Sequence, residues 1–165
     1  MGSDSDLPVV EKAFGVFAEF GIPYEVHVFS AHRTPEEAKA FTESARKNGF
    51  GVLIAAAGMA AHLAGAIAAN TLLPVIGIPI KSGGLGGTDA LLSTVQMPSG
   101  IPVDTVAING GTNAGILAAK ILAASDPELL GRLKAYSESL KNDVVKKAGK
   151  LDEIGYREYL EQMKK

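Results

Sequence analysis

The residues of this chain best suited to chemistry stand together in the run from Ser30 to Pro35, which reads SAHRTP. The run combines a titratable imidazole, a guanidinium and two hydroxyls, groups that can move a proton and bind an anion. Residues 24–29 alternate and are rich in β-branched and aromatic side chains, which predicts a strand. Thr34 and Glu37 form a capping-box pair, which predicts a helix start. His32 is therefore expected where a strand gives way to a helix, the place where α/β sheets bind ligands.

A second polar cluster, Gly2-Ser3-Asp4-Ser5-Asp6, stands just before the first predicted helix. Asp6 is placed to cap that helix, and the hydroxyls of Ser3 and Ser5 could bind a phosphate with the help of the helix dipole. Serine and aspartate before a helix are more often simple caps. The same simpler explanation applies to the SAHRTP run, where the hydroxyls would only cap and the histidine would be a loop residue.

Two further strand ends carry small or polar residues. Residues 57–63 follow a buried apolar run and include Gly58, Ala61, His62 and Leu63. Small residues there would let a flat ligand lie against the backbone, and the histidine is either a ligand contact or a satisfied core histidine. The glycine-rich loop 81–87 follows the next strand, but it lacks the order of a P-loop and does not indicate ATP. Four successive strand ends thus carry residues suited to a ligand.

The chain alternates predicted strands and helices with short connections. Strands are predicted at 24–29, 51–57, 74–79 and 103–108, and helices at 7–20, 35–47, 60–70, 89–96 and 113–124. The run at 51–57 is apolar throughout, as expected of a parallel strand buried on both faces. The pattern predicts a single domain over 1–165, a three-layer α/β/α sandwich around a parallel, flavodoxin-like sheet.

A helical extension, about 127–165, follows the last predicted strand. Its apolar residues Leu129, Leu133, Tyr136, Leu140 and Val144 form one stripe. A long amphipathic tail of this kind can pack on its own domain or on a neighbouring subunit.

Composition excludes several classes of function. The 165 residues are 47% hydrophobic with a formal net charge of −2, so no basic field marks a nucleic acid or a membrane as partner. The absence of cysteine excludes disulfides and thiolate sites, and is compatible with the cytoplasm, where we expect the chain. With three histidines and no HExxH-type spacing, no metal is expected. No GxGxxG opens a helix, which counts against a dinucleotide cofactor.

Together these motifs resemble the PurE family of purine biosynthesis. The resemblance runs from residue 2 to about residue 124 and includes Gly2 to Asp6, Ser30 to Pro35, Ala61 to Leu63, Pro74 to Gly77, Asp89 to Pro98 and Asn113 to Ala119. The SAHRTP and Gln96-Met97-Pro98 stretches are similar to the mutase branch. The branch that carboxylates aminoimidazole ribonucleotide with CO2 typically carries Lys where Arg33 stands, and differs around the loop that contains His62.

The resemblance implies an activity without cofactor. It is the shift of a carboxyl group from the exocyclic nitrogen of N5-carboxyaminoimidazole ribonucleotide to C4, which gives 4-carboxy-5-aminoimidazole ribonucleotide. His32 would be the acid and base. Ser3, Ser5, Ser30 and Arg33 would bind the 5′-phosphate, Asp6 would accept hydrogen bonds from the ribose or nearby groups, and the loop from Gly58 to Leu63, with Ala61 and His62, would line the CO2 pocket.

The resemblance also implies a homo-octamer, in keeping with the alanine-rich helices and the amphipathic tail. A different class of function stays open, since the same fold could serve as a non-catalytic sugar-phosphate-binding domain.

The sequence departs from the family pattern in a few places. The family usually has an apolar strand immediately before its Gly-Ser-x-Ser-Asp motif, in the middle of the sheet, and Met1 alone precedes the motif here. Because a missing central strand leaves buried backbone groups unpaired, we expect either a segment upstream of these residues or another segment in the gap. Ala64 stands where Pro is usual, Met59 lies in a usually glycine-rich stretch, and Asp104 is expected at the edge of a strand.

Overall fold

The computed structural model describes residues 1–164, which form a parallel sheet covered by helices on both faces. The strands are β1 (Leu53–Gly58), β2 (Val75–Ile80) and β3 (Asp104–Thr105), in the order β1-β2-β3. The helices are α1 (Leu7–Phe20), α2 (Pro35–Ala45), α3 (Leu63–Ala68), α4 (Thr88–Val95), α5 (Gly111–Ala123) and α6 (Pro127–Met163). A single 3-10 turn, Asp4–Asp6, precedes α1. The α/β/α architecture predicted from the sequence is confirmed.

The central strand β2 fixes the layers, because every one of its residues is buried. Its Ile76 and Ile78 pack with Ala13 and Phe17 of α1 and with the alanines of α5. On the opposite face Val75 packs with residues of β1 and α3. Alternation of side chains along a strand places successive residues in the two helical layers.

The predicted elements largely match. α1 has the predicted bounds, and it ends because Gly21 adopts the left-handed conformation with φ +63°. The other helices and the strands β1 and β2 lie within a few residues of the predicted ranges. The predicted strand 103–108 is much shorter, since only Asp104–Thr105 pairs with β2. Asp104 is exposed on this outer strand, as expected.

The predicted strand at 24–29 is wrong. These residues form no ladder, although Met1 makes two strand-like hydrogen bonds with them. The nitrogen of Met1 donates to the carbonyl oxygen of His27 at 2.8 Å, and the N–H of Phe29 donates to the oxygen of Met1 at 2.9 Å. On the other side, the N–H of Gly2 donates to the oxygen of Ala56 in β1 at 2.8 Å. A β-strand needs a neighbouring strand that pairs with it over several residues, whereas here Met1 alone pairs with this segment.

A groove therefore separates residues 24–29 from β1. It encloses a cavity of about 690 Å³ lined mainly by apolar and aromatic side chains, among them Phe14, Phe17, Phe29, Phe41 and Ile54. None of the segments within residues 1–164 fills this groove. The expectation that another segment takes the place of the family's central strand is therefore not met.

The helical extension forms as predicted. α6 runs from Pro127 to Met163 across a kink at Gly155, where φ is +74°. Leu129 and Leu133 are buried against α1 and α5. Beyond this first part the stripe is exposed, with Leu140 51% and Val144 66% accessible, and Leu160 after the kink is 52% accessible. Lys165, the last residue of the predicted extension, lies outside the described residues, and none of the helices within 1–164 is long and apolar enough to cross a membrane.

Candidate active site

The turn before α2 presents His32 and Arg33 to solvent. The oxygen of Ser30 accepts the N–H groups of Arg33 at 3.2 Å and Thr34 at 2.8 Å, which closes the turn. The hydroxyl of Ser30 accepts from the backbone N–H of Arg33 at 3.2 Å and from its Nε at 3.3 Å. The side chains of the serine and the arginine are thereby held together.

The predicted capping box at this turn is wrong. Thr34 occupies the N-cap position of α2 but makes no side-chain cap bond. Its Oγ1 instead accepts the N–H of Ser30 at 2.9 Å and donates to the oxygen of Ser30 at 3.3 Å. The hydroxyl is satisfied inside the turn, where it braces the residues that flank His32.

The Gly2–Asp6 segment forms its own capped turn. Ser3 and Asp6 make a reciprocal capping box around the 3-10 turn, in which the Ser3 N–H donates to Asp6 Oδ2 at 3.2 Å. Asp6 does not cap α1 with its side chain, contrary to the prediction. The hydroxyl of Ser5 donates to Ser3 Oγ at 2.9 Å, so the two serines lie side by side.

Asp6 is a buried carboxyl group. Burial raises its pKa above the ordinary aspartate value, and hydrogen bonds from the backbone of Ser3 and Gly2 oppose the rise by stabilising the anion. The group is 6% exposed, yet it lies on the wall of the cavity described below.

The end of β1 brings a second histidine to the first. The chain leaves Gly58, turns at Met59 with φ +54°, and enters α3 after His62. Nδ1 of His62 lies 3.0 Å from Nε2 of His32, and the two rings meet edge to face at 81°. His62 is exposed and contacts His32, which excludes the alternative of a satisfied core histidine.

These segments enclose one cavity of about 570 Å³ at the carboxyl end of the sheet. Its lining includes nearly all of the residues that the sequence singled out: Ser3, Ser5, Asp6, Ser30, His32, Arg33, Gly58, His62 and Leu63. Ala61 is the exception, since it is 2% exposed and does not line the cavity. The arrangement follows from the parallel sheet, whose strand ends meet at one edge.

Ser82 also lines the cavity, and it was missed as a site residue. Its hydroxyl accepts the N–H of Met59 at 3.0 Å. Its position just after β2, the strand adjacent to β1, is the feature of the sequence that could have placed Ser82 near the end of β1. Gly58 and Ile80 are partners in the register of these strands, so residues that follow them are neighbours.

The cavity combines the chemistry of anion binding with that of proton transfer. Of the residues that line it, Arg33 provides a fixed positive charge, and Ser3, Ser5 and Ser30 provide hydroxyls. The two histidines bring imidazole nitrogens, which can donate or accept a proton, to the same cavity. Among residues 1–164 no group of three or more histidine, aspartate or glutamate side chains is arranged to hold a metal ion.

Comparison with known proteins finds similar enzymes over nearly the whole chain. The N5-carboxyaminoimidazole ribonucleotide mutase of Thermotoga maritima is 53% identical over 162 residues, which are 98% of this chain and 95% of that protein. The enzyme of the same name from Pyrococcus horikoshii is also 53% identical, over 98% of this chain and 92% of that protein. The phosphoribosylaminoimidazole carboxylase of Saccharomyces cerevisiae is 50% identical over 98% of this chain, which spans 28% of that longer protein.

Solved structures and a family model extend the likeness to the fold. The crystal structure of Treponema denticola PurE aligns with a TM-score of 0.82 at 30% identity, covering 92% of this chain and 94% of that one. A family model described as AIR carboxylase matches residues 1–143, which include every residue of the cavity. On these grounds the chain belongs to the AIR carboxylase family.

Proposed function

We propose that this chain is an N5-carboxyaminoimidazole ribonucleotide mutase of purine biosynthesis. The observation that carries the proposal is the His32–His62 pair, 3.0 Å apart, in the same cavity as Arg33 and the hydroxyls of the two turns. A ribonucleotide substrate needs both features, because one end carries a phosphate and the other end carries the reacting carbamate.

The phosphate would be bound by the turn residues. Arg33 and Ser30 already share a hydrogen bond at 3.3 Å, so the guanidinium is held before the substrate arrives. Ser3 and Ser5 lie on the same cavity and would donate their hydroxyls to the phosphate oxygens. Charge-assisted hydrogen bonds of this kind bind phosphate strongly. Asp6 would accept a hydrogen bond from a ribose hydroxyl or a nearby substrate group.

The reaction needs one group that first gives and then takes a proton. Protonated His32 would donate to the exocyclic nitrogen, the N–C bond would break, and CO2 would leave while the electron pair stays on nitrogen. C4 would then attack CO2 and form the new C–C bond. The now neutral His32 would remove the C4 proton, which restores the protonated imidazole and closes the cycle. An imidazole suits both steps because it titrates near neutral pH.

The turn from Gly58 to Leu63 would hold the CO2. Two of its small residues, Gly58 and Ala60, line the cavity next to the histidine pair, and Leu63 is buried at its wall. A pocket that excludes water matters here, because CO2 that escapes to solvent is lost to the reaction.

The direct carboxylation of aminoimidazole ribonucleotide with CO2 is the second candidate. It is favoured by relatives named phosphoribosylaminoimidazole carboxylase, such as the Saccharomyces cerevisiae protein at 50% identity. Arg33 argues for the mutase, since the resemblance gives the direct carboxylase branch Lys at this position. The third candidate, a sugar-phosphate-binding domain, would have no need for an acid and base at His32.

The protein would act in the cytoplasm as a homo-octamer. The exposed apolar stripe of α6 beyond Leu133 supports association, because several large side chains there face solvent. Light scattering should give about eight times the 17.1 kDa of one chain. A Leu140→Glu and Val144→Glu double variant should be smaller than the octamer, whereas the Lys141→Glu control on the same helix should keep its mass. A monomeric wild type would overturn the octamer.

Conversion of freshly prepared N5-carboxyaminoimidazole ribonucleotide tests the function. Ultraviolet absorbance should show conversion without ATP, metal or added bicarbonate. His32→Asn should lose turnover by a factor of about 10² to 10⁴, the usual contribution of a positioned acid and base. It should still bind the substrate, because the phosphate contacts remain.

His27→Asn is the matched control. His27 stacks on Phe29 and meets Phe41 at a tilt, and it does not line the cavity that contains His32, so its substitution should leave turnover nearly unchanged. Activity only with aminoimidazole ribonucleotide and bicarbonate would assign the chain to the direct carboxylases. Binding of the ribonucleotide with no turnover in either assay would favour the non-catalytic domain.

A further inference from the structure

Met59 adopts a backbone conformation that its residue type disfavours. Its φ of +54° lies in the left-handed region, where a side chain crowds the following carbonyl. The side chain itself is 65% exposed, so its own packing does not hold the residue in place. Another contact must hold it there.

The hydroxyl of Ser82 provides that contact. It accepts the N–H of Met59 at 3.0 Å, across 23 positions of sequence. Ser82 also packs against Gly58, and a Cβ added at the glycine would collide with the serine Oγ. The serine is therefore fitted to the end of β1 both by a hydrogen bond and by close packing.

The backbone that precedes Ser82 is also held by hydrogen bonds. The N–H of Lys81 donates to Oδ1 of Asn109 at 2.8 Å, and the N–H of Asn109 donates to the oxygen of Pro79 in β2 at 2.8 Å. The end of β2 is thus braced from the side opposite β1. Because the end of β2 is fixed in this way, the Ser82 hydroxyl can hold the backbone of Met59 in its left-handed conformation.

The turn held by Ser82 carries one member of the histidine pair. Beyond Met59, the oxygen of Ala60 accepts the N–H of His62 at 2.9 Å. His62 then places Nδ1 against Nε2 of His32 at 3.0 Å. The contacts run without interruption from Ser82 through this turn to the proposed acid and base.

We propose that Ser82 is a positioning residue that holds the Met59 turn in its left-handed conformation and thereby sets the contact between His62 and His32. The proposal rests on the proposed function only in that His32 performs the proton transfers. The structural part of the proposal is that the contact between the two histidines depends on the Ser82 hydroxyl. This part does not depend on the proposed function.

Steady-state kinetics of the Ser82→Ala variant test whether the Ser82 hydroxyl contributes to catalysis. We expect kcat to fall about tenfold, the effect of one lost hydrogen bond, while KM changes little because the phosphate contacts remain. Ser93→Ala is the control, since Ser93 bonds the oxygen of Asp89 within α4, outside the cavity. An unchanged kcat in Ser82→Ala would overturn the proposal.

A second substitution separates positioning from a direct role. Glycine adopts a positive φ freely, so Met59→Gly in the Ser82→Ala background should restore much of the lost kcat. If the serine acted on the substrate itself, glycine at position 59 would restore nothing.

Nitrogen-15 chemical shifts of the imidazoles give a readout that needs no turnover. In the wild type the shared hydrogen bond should fix which of the two facing nitrogens carries the proton, and Ser82→Ala should average the tautomers. Unchanged shifts would overturn the proposal. If the wild type lacks mutase activity but the shifts respond, the proposed function fails and the positioning role survives.

Discussion

Nε2 of His32 and Nδ1 of His62 lie 3.0 Å apart, with their ring planes at 81°. An N–H···N hydrogen bond has one donor and one acceptor, so the proton on one ring determines the tautomer of the other. The two histidines come from turns 30 residues apart in sequence. Their contact links the acid and base to the wall of the proposed CO2 pocket.

This contact predicts different effects for two substitutions of His62. His62→Phe keeps a ring but removes the hydrogen bond, and should lower kcat about 10- to 100-fold, as expected when a polar partner is lost. His62→Asn places an amide near the position of Nδ1 and should lose less. Steady-state kinetics with the carbamate substrate measure both. Equal losses in the two variants would show that ring volume, rather than the hydrogen bond, is what matters.

The helices were predictable because their signals are local. α1 shows its buried face in the spacing of Ala13, Val16, Phe17 and Phe20, and Gly21 provides the left-handed end. Residues 24–29 show the limit of such signals. Their alternation indicates extended backbone correctly, but a strand is defined by a neighbour, and sequence pattern alone does not locate one.

Much of the candidate site could be predicted from the sequence, because the carboxyl ends of parallel strands lie at the same edge of the sheet. That rule brought Ser3, His32 and His62 to one cavity in advance of the structure. It did not identify Ser82, because the bond from Met59 depends on the register between β1 and β2. The capping patterns, in turn, gave the wrong hydrogen-bond partners for Thr34 and Asp6, since short polar side chains have several backbone partners within reach.

The buried carboxyl of Asp6 predicts a pH dependence of stability. Because its pKa is raised in the folded protein, the folded state binds this proton more tightly than the unfolded state does. The free energy of unfolding should therefore fall as pH rises from the ordinary aspartate pKa to the raised value, and this contribution should level off above it. Asp6→Asn should remove that part of the slope in urea titrations at a series of pH values. A slope that persists in the variant would assign it to other groups.

Glycines at two positions should respond oppositely to the same substitution. A Cβ at Gly77, in the buried strand β2, would collide with Thr94 and lie 3.0 Å from Cγ1 of Val103, so Gly77→Ala should cost about 1–3 kcal/mol. Gly131 is exposed within α6 with no heavy atom within 4 Å of its added Cβ. Gly131→Ala should stabilise by about 0.5–1 kcal/mol, because alanine favours the helix. Urea unfolding measures both, and a neutral Gly77→Ala would show that the helix α4 yields easily.

The groove between residues 24–29 and β1 should accept an extended apolar segment. Met1 already bonds His27 and Phe29 as a residue of a parallel strand would, and Gly2 bonds Ala56 on the other side. Five residues rich in valine and isoleucine, joined ahead of Met1, would continue that geometry into the 690 Å³ cavity. They would pair both edges and bury apolar surface, so the melting temperature should rise and the amides of residues 24–29 should exchange more slowly.

The matched control for this extension is a glycine-serine segment of the same length. It can offer the same backbone hydrogen bonds but no side chains to fill the cavity, and it loses more conformational entropy on ordering. It should therefore stabilise much less. Equal stabilisation by both segments would mean that the apolar lining contributes little. No stabilisation by either would mean that residues 24–29 do not take up a strand neighbour on this side, and that their extended backbone is held by Met1 and by the packing of Phe29 on Phe41.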